Sequence, residues 1–329
     1  MGTITSLLLL LVFLSGGFIL ARFDLVRFSP KVEAVFSAAL YLLLFSMGLR
    51  LGQSKEVLSN LSLVGALAVS SAVFACAGTV LLHVLMIPVY RKMDPAGLYS
   101  ADRQSAGTIA PGGSPQSLTG SRRLAILFYN LKKPLLLLVL VIAGSFVGYF
   151  LPPVAVLRDG SVATWILYFL LFIIGIQMAG SGSSLGKMIV QPAVLLLPAV
   201  TIAGTLAGSL GTLVFDGMTP GRALALGSGF GWYSLSGVLI ADLGDPMLGA
   251  AAFISNLLRE TIAFLCVPLL KFSGRCESGI GISGATSMDV TLPVIEDTWG
   301  ARVIPLAVAH GVILSFLVPF LVPLFMSFR

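Results

Sequence analysis

Ala250-Ala-Ala-Phe-Ile-Ser-Asn-Leu-Leu-Arg-Glu-Thr-Ile-Ala-Phe-Leu-Cys-Val-Pro-Leu-Leu270 is apolar enough to cross a bilayer, except at two adjacent ionisable residues, Arg259 and Glu260. A charge at the centre of a membrane helix costs about 2.5–3.5 kcal/mol on insertion scales, so an intramembrane carboxylate marks a functional site by default. Helical spacing puts Asn256, Arg259, Glu260 and Ala263 on one stripe, at i, i+3, i+4 and i+7. That stripe can face a cavity while the rest of the helix meets lipid or neighbouring helices. A buried Arg259/Glu260 ion pair is the structural alternative.

The rest of the chain agrees with a membrane setting. Of 329 residues, 57% are hydrophobic and 10% charged, and the mean hydropathy is +1.01. A soluble globule has too few charges at this composition to cover its apolar surface. Hydropathy predicts eight spans near the length a helix needs to cross hydrocarbon: Ile4–Ala21, Val32–Leu49, Leu61–Met86, Pro134–Leu151, Val162–Ala179, Ala193–Phe215, Gly249–Leu270 and Val303–Phe325. The first reads as an uncleaved span, because no Lys or Arg precedes it and no small-residue cleavage pattern follows. Cys76, Cys266 and Cys276 are odd in number and lack metal-ligand spacing, so they suggest no disulfide framework.

Two further stretches, Arg222–Pro246 and Gly279–Gly300, are partly apolar but interrupted by Asp and rich in small polar residues. Their centres are Gly227-Ser-Gly-Phe-Gly-Trp-Tyr-Ser-Leu-Ser-Gly237 and Ser283-Gly-Ala-Thr-Ser-Met-Asp-Val-Thr-Leu-Pro293. Irregular backbone at membrane depth is tolerated only inside protein or beside a watery cavity. Both therefore read as re-entrant or broken helices, a feature of substrate sites in secondary transporters; extramembrane loops are the other reading. The expected fold class is an all-α integral membrane protein with about eight transmembrane helices plus these two segments.

Charge sets the expected orientation. Residues 91–133 carry Arg91, Lys92, Arg103, Arg122, Arg123, Lys132 and Lys133 against Asp94 and Asp102, which places this loop in the cytoplasm and both termini outside. Its Gly/Ser/Pro-rich middle is too poor in large apolar residues to pack and is expected to be disordered. The chain thus divides into a three-span block over residues 1–90, the basic loop over 91–133 and a transport block over 134–329. On this topology one broken segment enters from outside and the other from the cytoplasm, so that they can meet near Glu260. The net charge of +6 follows from the positive-inside bias and can touch anionic lipid heads; nothing points to nucleic acid.

Weaker patterns have ordinary explanations. The pairs Gly144/Gly148 and Gly204/Gly208 point to close helix packing. Gly182-Ser-Ser-Leu-Gly186 matches a nucleophile-elbow pattern but follows no strand. His310, inside the last span, is a candidate proton relay or a hydrogen-bonded packing residue.

Taken in order, the blocks Ser228–Gly237, Asn256-x-x-Arg-Glu260 and Gly284–Pro293 resemble the LysO-type bacterial lysine exporters. The likeness is strong over the C-terminal half and rests on hydropathy and spacing over the N-terminal half. It implies that Glu260 and Asp289 are intramembrane carboxylates required for export, and that the chain resides in the bacterial inner membrane. Leu257 departs from the resemblance, since an acidic residue often follows the Asn there.

Local chemistry is compatible with that likeness. A dibasic amino acid presents two ammonium groups and one carboxylate, so its site needs both signs of charge. Glu260 and Asp289 suit the ammonium groups, or one holds substrate while the other carries a proton. Arg259 or a broken-helix N-terminus suits the carboxylate. Ser234, Ser236, Thr286, Ser287 and Asn256 offer neutral hydrogen bonds. The expectation is a secondary transporter, not an enzyme, exporting L-lysine or a close basic analogue by proton antiport, with no cofactor and with homo-oligomer formation left open. A sodium-coupled organic-solute transporter or a cation antiporter is the main alternative function, and an intramembrane hydrolase the remote one.

Overall fold

The computed structural model describes residues 3–23, 29–53, 58–93, 136–151, 165–176, 192–270 and 276–328, and all regular structure among them is helical. The centre of the basic loop, with the stretch expected to be disordered, lies outside the described residues. So do the outer ends of the span expected over 162–179.

The N-terminal part supplies α1 (Thr3–Arg22), α2 (Pro30–Gln53), α3 (Leu61–Leu85) and the short α4 (Ile87–Met93). Two shorter apolar helices follow, α5 (Leu136–Phe150) and α6 (Trp165–Ile176). The C-terminal part runs α7 (Pro192–Ser209) with a 3-10 extension at Leu210–Val214, α8 (Pro220–Gly227), α9 (Tyr233–Asp242), α10 (Pro246–Leu270), α11 (Cys276–Ser283) with a 3-10 turn at Gly284–Met288, α12 (Leu292–Trp299) and α13 (Ile304–Met326). Among the described residues, five helices are long and apolar enough to cross a membrane: Ala34–Gln53, Leu61–Leu85, Val194–Val214, Pro246–Leu270 and Ile304–Met326. Proline begins many of the C-terminal helices, at Pro220, Pro246, Pro293 and Pro305, where a missing N–H is harmless and the fixed φ suits the first turn.

Helix α3 packs antiparallel on α7 through glycine. Gly78 lies on Gly204 and Gly208, and Gly208 on the Phe74 carbonyl, so that added Cβ atoms would collide with backbone. Gly144 and Gly148 make the same close approach to Phe45 and Leu49 of α2. Both glycine pairs are thus helix-packing seams, as small residues in apolar helices provide.

Neither broken segment crosses from one end of the bundle to the other. Helices α8 and α9 form a hairpin whose two outer ends meet: Arg222 pairs with Asp245 at 2.8 Å. Gly221 packs there against the carbonyls of Phe325 and Phe328, at the end of α13. Helices α11 and α12 form a second hairpin, whose outer ends touch where Gly279 meets the Trp299 ring. Cys276, Ile280, Ile295 and Trp299 share a core cluster with Val194 at the start of α7, Val267 near the end of α10 and Val303 before α13, so this hairpin enters from the opposite end. Helix α7 plus the first hairpin and α10 plus the second are therefore two units of one order, running in opposite directions.

Candidate functional site

The hairpin tips meet inside the bundle. At the first, Phe230 (φ 46°) and Gly231 (φ 98°) carry the chain through the left-handed region; at the second, Gly284 does so with φ 63°. Gly284 abuts the Phe230 carbonyl so closely that a side chain would not fit.

Helix α10 passes this junction, and its polar stripe splits into distinct tasks. Asn256 holds the first hairpin: its Oδ1 accepts the Gly231 N–H at 2.7 Å, and its Nδ2 donates to Ser236 Oγ at 3.1 Å and to the Ala252 carbonyl at 2.9 Å. One turn on, Arg259 holds the second. Its Nε donates to the Ile282 carbonyl at 3.2 Å, and its Nη2 to the Gly281 carbonyl at 3.2 Å and to Thr205 Oγ1 at 3.1 Å. Those carbonyls belong to the last turn of α11, where orphan acceptors and the negative end of the helix dipole favour a cation. The guanidinium is thereby committed to the hairpin, and the Arg259/Glu260 ion pair weighed from sequence does not form.

Glu260 is left over. It is 0% exposed, and neither carboxylate oxygen has a hydrogen-bond partner among the described residues. Burying such a group without a partner is costly, and a bound proton or cation would remove that cost. Asp289 lies within electrostatic reach of Glu260, and Tyr233 within reach of both. Asp289 itself is exposed at the second tip, where its Oδ1 accepts the Val290 N–H. The pair is thus one sealed carboxylate and one open one.

The hydroxyls chosen from sequence are mostly occupied within the tips. Ser236 donates to the Trp232 carbonyl at 2.9 Å and Thr286 to the Ser283 carbonyl at 2.8 Å. Ser287 donates to the Ala307 carbonyl at 2.8 Å and meets His310 Nδ1 at 3.0 Å, while Ser234 is buried at the start of α9. Thr205, Thr201 and Tyr233 went unnoticed in the sequence. A lone Thr in an apolar run carries no signal until its neighbour on another helix is known.

A model of the family described as lysine exporter LysO matches residues 11–100 and 138–326. The chain belongs to the lysine exporter LysO family. The unmatched interval contains the Gly/Ser/Pro-rich insert. The chain is 38% identical over 204 residues to the lysine exporter LysO of Escherichia coli (strain K12), covering 62% of this chain and 66% of that protein. It is 35% identical over 192 residues to a putative lysine exporter of Haemophilus influenzae, covering 58% of this chain and 97% of that protein. No solved structure matches the chain. Family membership and the apolar helices make it a multi-pass membrane protein of a transporter family.

Proposed function

We propose that this protein exports L-lysine and close basic analogues across the bacterial cytoplasmic membrane by proton antiport. The observation that carries the reading is Glu260, a fully buried carboxylate with no hydrogen-bond partner among the described residues, placed where two oppositely entering hairpins meet and within electrostatic reach of Asp289. A substrate ammonium or a proton satisfies it, and the two cannot occupy it together; that exclusion is what antiport requires. Asp289, open at the tip, is the first carboxylate an entering ammonium meets.

In this reading the hairpins are re-entrant, the chain has eight spans, and both termini face outward. Orientation follows from where the cations sit. Arg91 and Lys92 on α4 and Arg302 before α13 share the end from which the second hairpin enters, whereas at the other end Arg222 is neutralised by Asp245. The end richer in Lys and Arg is cytoplasmic.

Efflux of labelled lysine from cells with and without the protein tests the substrate. In proteoliposomes, an imposed pH gradient should drive lysine toward the acidic side and a protonophore should stop it. Movement that ignores the pH gradient and follows a sodium gradient would replace proton coupling by sodium coupling.

A further inference from the structure

The chain has two histidines, and both lie on one buried thread of hydrogen bonds. Tyr90 Oη meets His83 Nδ1 at 2.7 Å, and His83 Nε2 meets Thr201 Oγ1 at 2.9 Å. Thr201 Oγ1 meets His310 Nε2 at 2.9 Å, and His310 Nδ1 meets Ser287 Oγ at 3.0 Å. The thread joins α4, α3, α7 and α13 to the tip of the second hairpin.

Counting hydrogens fixes its direction. A backbone carbonyl only accepts, so the single hydroxyl hydrogen of Ser287 is spent on Ala307. Ser287 must then accept from His310 Nδ1–H. With that imidazole neutral, its Nε2 accepts from Thr201, whose one hydrogen is thereby used. Thr201 in turn accepts from His83 Nε2–H, and His83 Nδ1 accepts from Tyr90. Every donor therefore points the same way, from α4 toward the hairpin. Isolated buried histidines need only satisfied partners. Two imidazoles joined through one hydroxyl in a uniformly oriented thread are in addition a path for a proton.

We propose that the thread Tyr90–His83–Thr201–His310–Ser287 conducts the coupling proton between the α4 end of the bundle and the tip that carries Asp289, an inference that rests on the proton-coupled reading above. A proton taken up at His83 Nδ1 turns the Tyr90 hydroxyl away. The His83 Nε2–H bond then breaks as an O–H bond forms on Thr201. The original Thr201 O–H bond breaks as an N–H bond forms at His310 Nε2, so the charge has moved from one imidazole to the other. His310 passes its Nδ1 proton to Ser287, whose own hydrogen leaves the Ala307 carbonyl for an acceptor at the tip, where Asp289 is the exposed carboxylate. Each imidazole is left with its hydrogen on the other nitrogen, so the starting order returns when both rings turn over and the hydroxyls rotate back. Among the described residues both imidazoles feel the Arg259 guanidinium of α10, and His310 also hydrogen-bonds the Gly284 backbone at the tip.

Thr201 is the link to cut, because it touches neither carboxylate in the geometry above. Wild type, Thr201→Val and Thr201→Ser are reconstituted, and each is measured for lysine movement driven by a pH gradient and for lysine–lysine exchange without a gradient, which moves no net proton. Thr201→Val should lose roughly a hundredfold or more of the driven movement, the low end of what a positioned proton-transfer group contributes. It should keep exchange, and Thr201→Ser should recover both. Driven movement at the wild-type rate in Thr201→Val overturns the proposal, as does a parallel fall of driven movement and exchange, which marks a structural link. If Thr201→Val does not fold, His83→Gln, which can donate to Thr201 but cannot relay, is judged by the same two readouts. A wild-type protein that exchanges lysine yet ignores the pH gradient brings down the proton-coupled reading itself, and the relay with it.

Discussion

The Ala285 N–H donates to the Phe230 carbonyl at 2.8 Å, a backbone bond between the tips of two hairpins that enter the bundle from opposite ends. Each tip is pinned separately to α10, the first by Asn256 and the second by Arg259, and Glu260 sits one residue beyond the second pin. The junction is therefore held on two sides around a carboxylate with no hydrogen-bond partner among the described residues.

Gly284→Ala should disable the protein. Its φ of 63° disfavours any side chain, by about 1 kcal/mol or more, and the added Cβ would also strike the Phe230 carbonyl. Gly300→Ala is the control, with φ 84° but open space around it. Thermal midpoints in detergent and export rates should fall for Gly284→Ala, and fall much less for Gly300→Ala.

Glu260→Gln and Asp289→Asn should each abolish export while membrane levels stay at the wild-type value. Removing an inserted carboxylate lowers the insertion cost, so lost activity in a well-expressed variant is a defect of transport. Export at the wild-type rate by either variant would remove that residue from the mechanism.

Arg259→Met and Arg259→Lys should both lower the thermal midpoint by several degrees. Met abandons two carbonyls and Thr205, at about 1–3 kcal/mol for each buried group left unsatisfied. Lys keeps the charge but lacks the planar fork that spans these acceptors. An unchanged midpoint together with weakened lysine binding would instead make Arg259 the receptor of the substrate carboxylate.

The Arg222–Asp245 pair predicts that positions 222 and 245 face the same side. Introduced singly into a protein lacking Cys76, Cys266 and Cys276, cysteines at both positions and at Ser327 should react with a membrane-impermeant reagent added outside, and one at Ser114 should not. A cytoplasmic Ser327 would invert the orientation, and opposite sides for 222 and 245 would mean that the first hairpin spans. The pair is part-exposed, so its loss should cost only about 1 kcal/mol or less.

The sequence alone determined the membrane setting and the helical class, located the two broken segments and singled out Glu260 as a candidate. These follow from composition, from the cost of charge in hydrocarbon and from the period of a helix, all of which act within a single segment. Tertiary structure decided which stripe residues are anchors and which is free. Asn256, Arg259 and Glu260 look equivalent at i, i+3 and i+4, but what each side chain bonds depends on backbone groups of distant segments, at Gly231, Gly281 and Ile282. The same holds for His310: its partner Thr201 sits in an apolar run of α7 and becomes legible only when α3, α7 and α13 pack together. Hydrogen bonds between helices follow three-dimensional register, and hydropathy carries no record of that register.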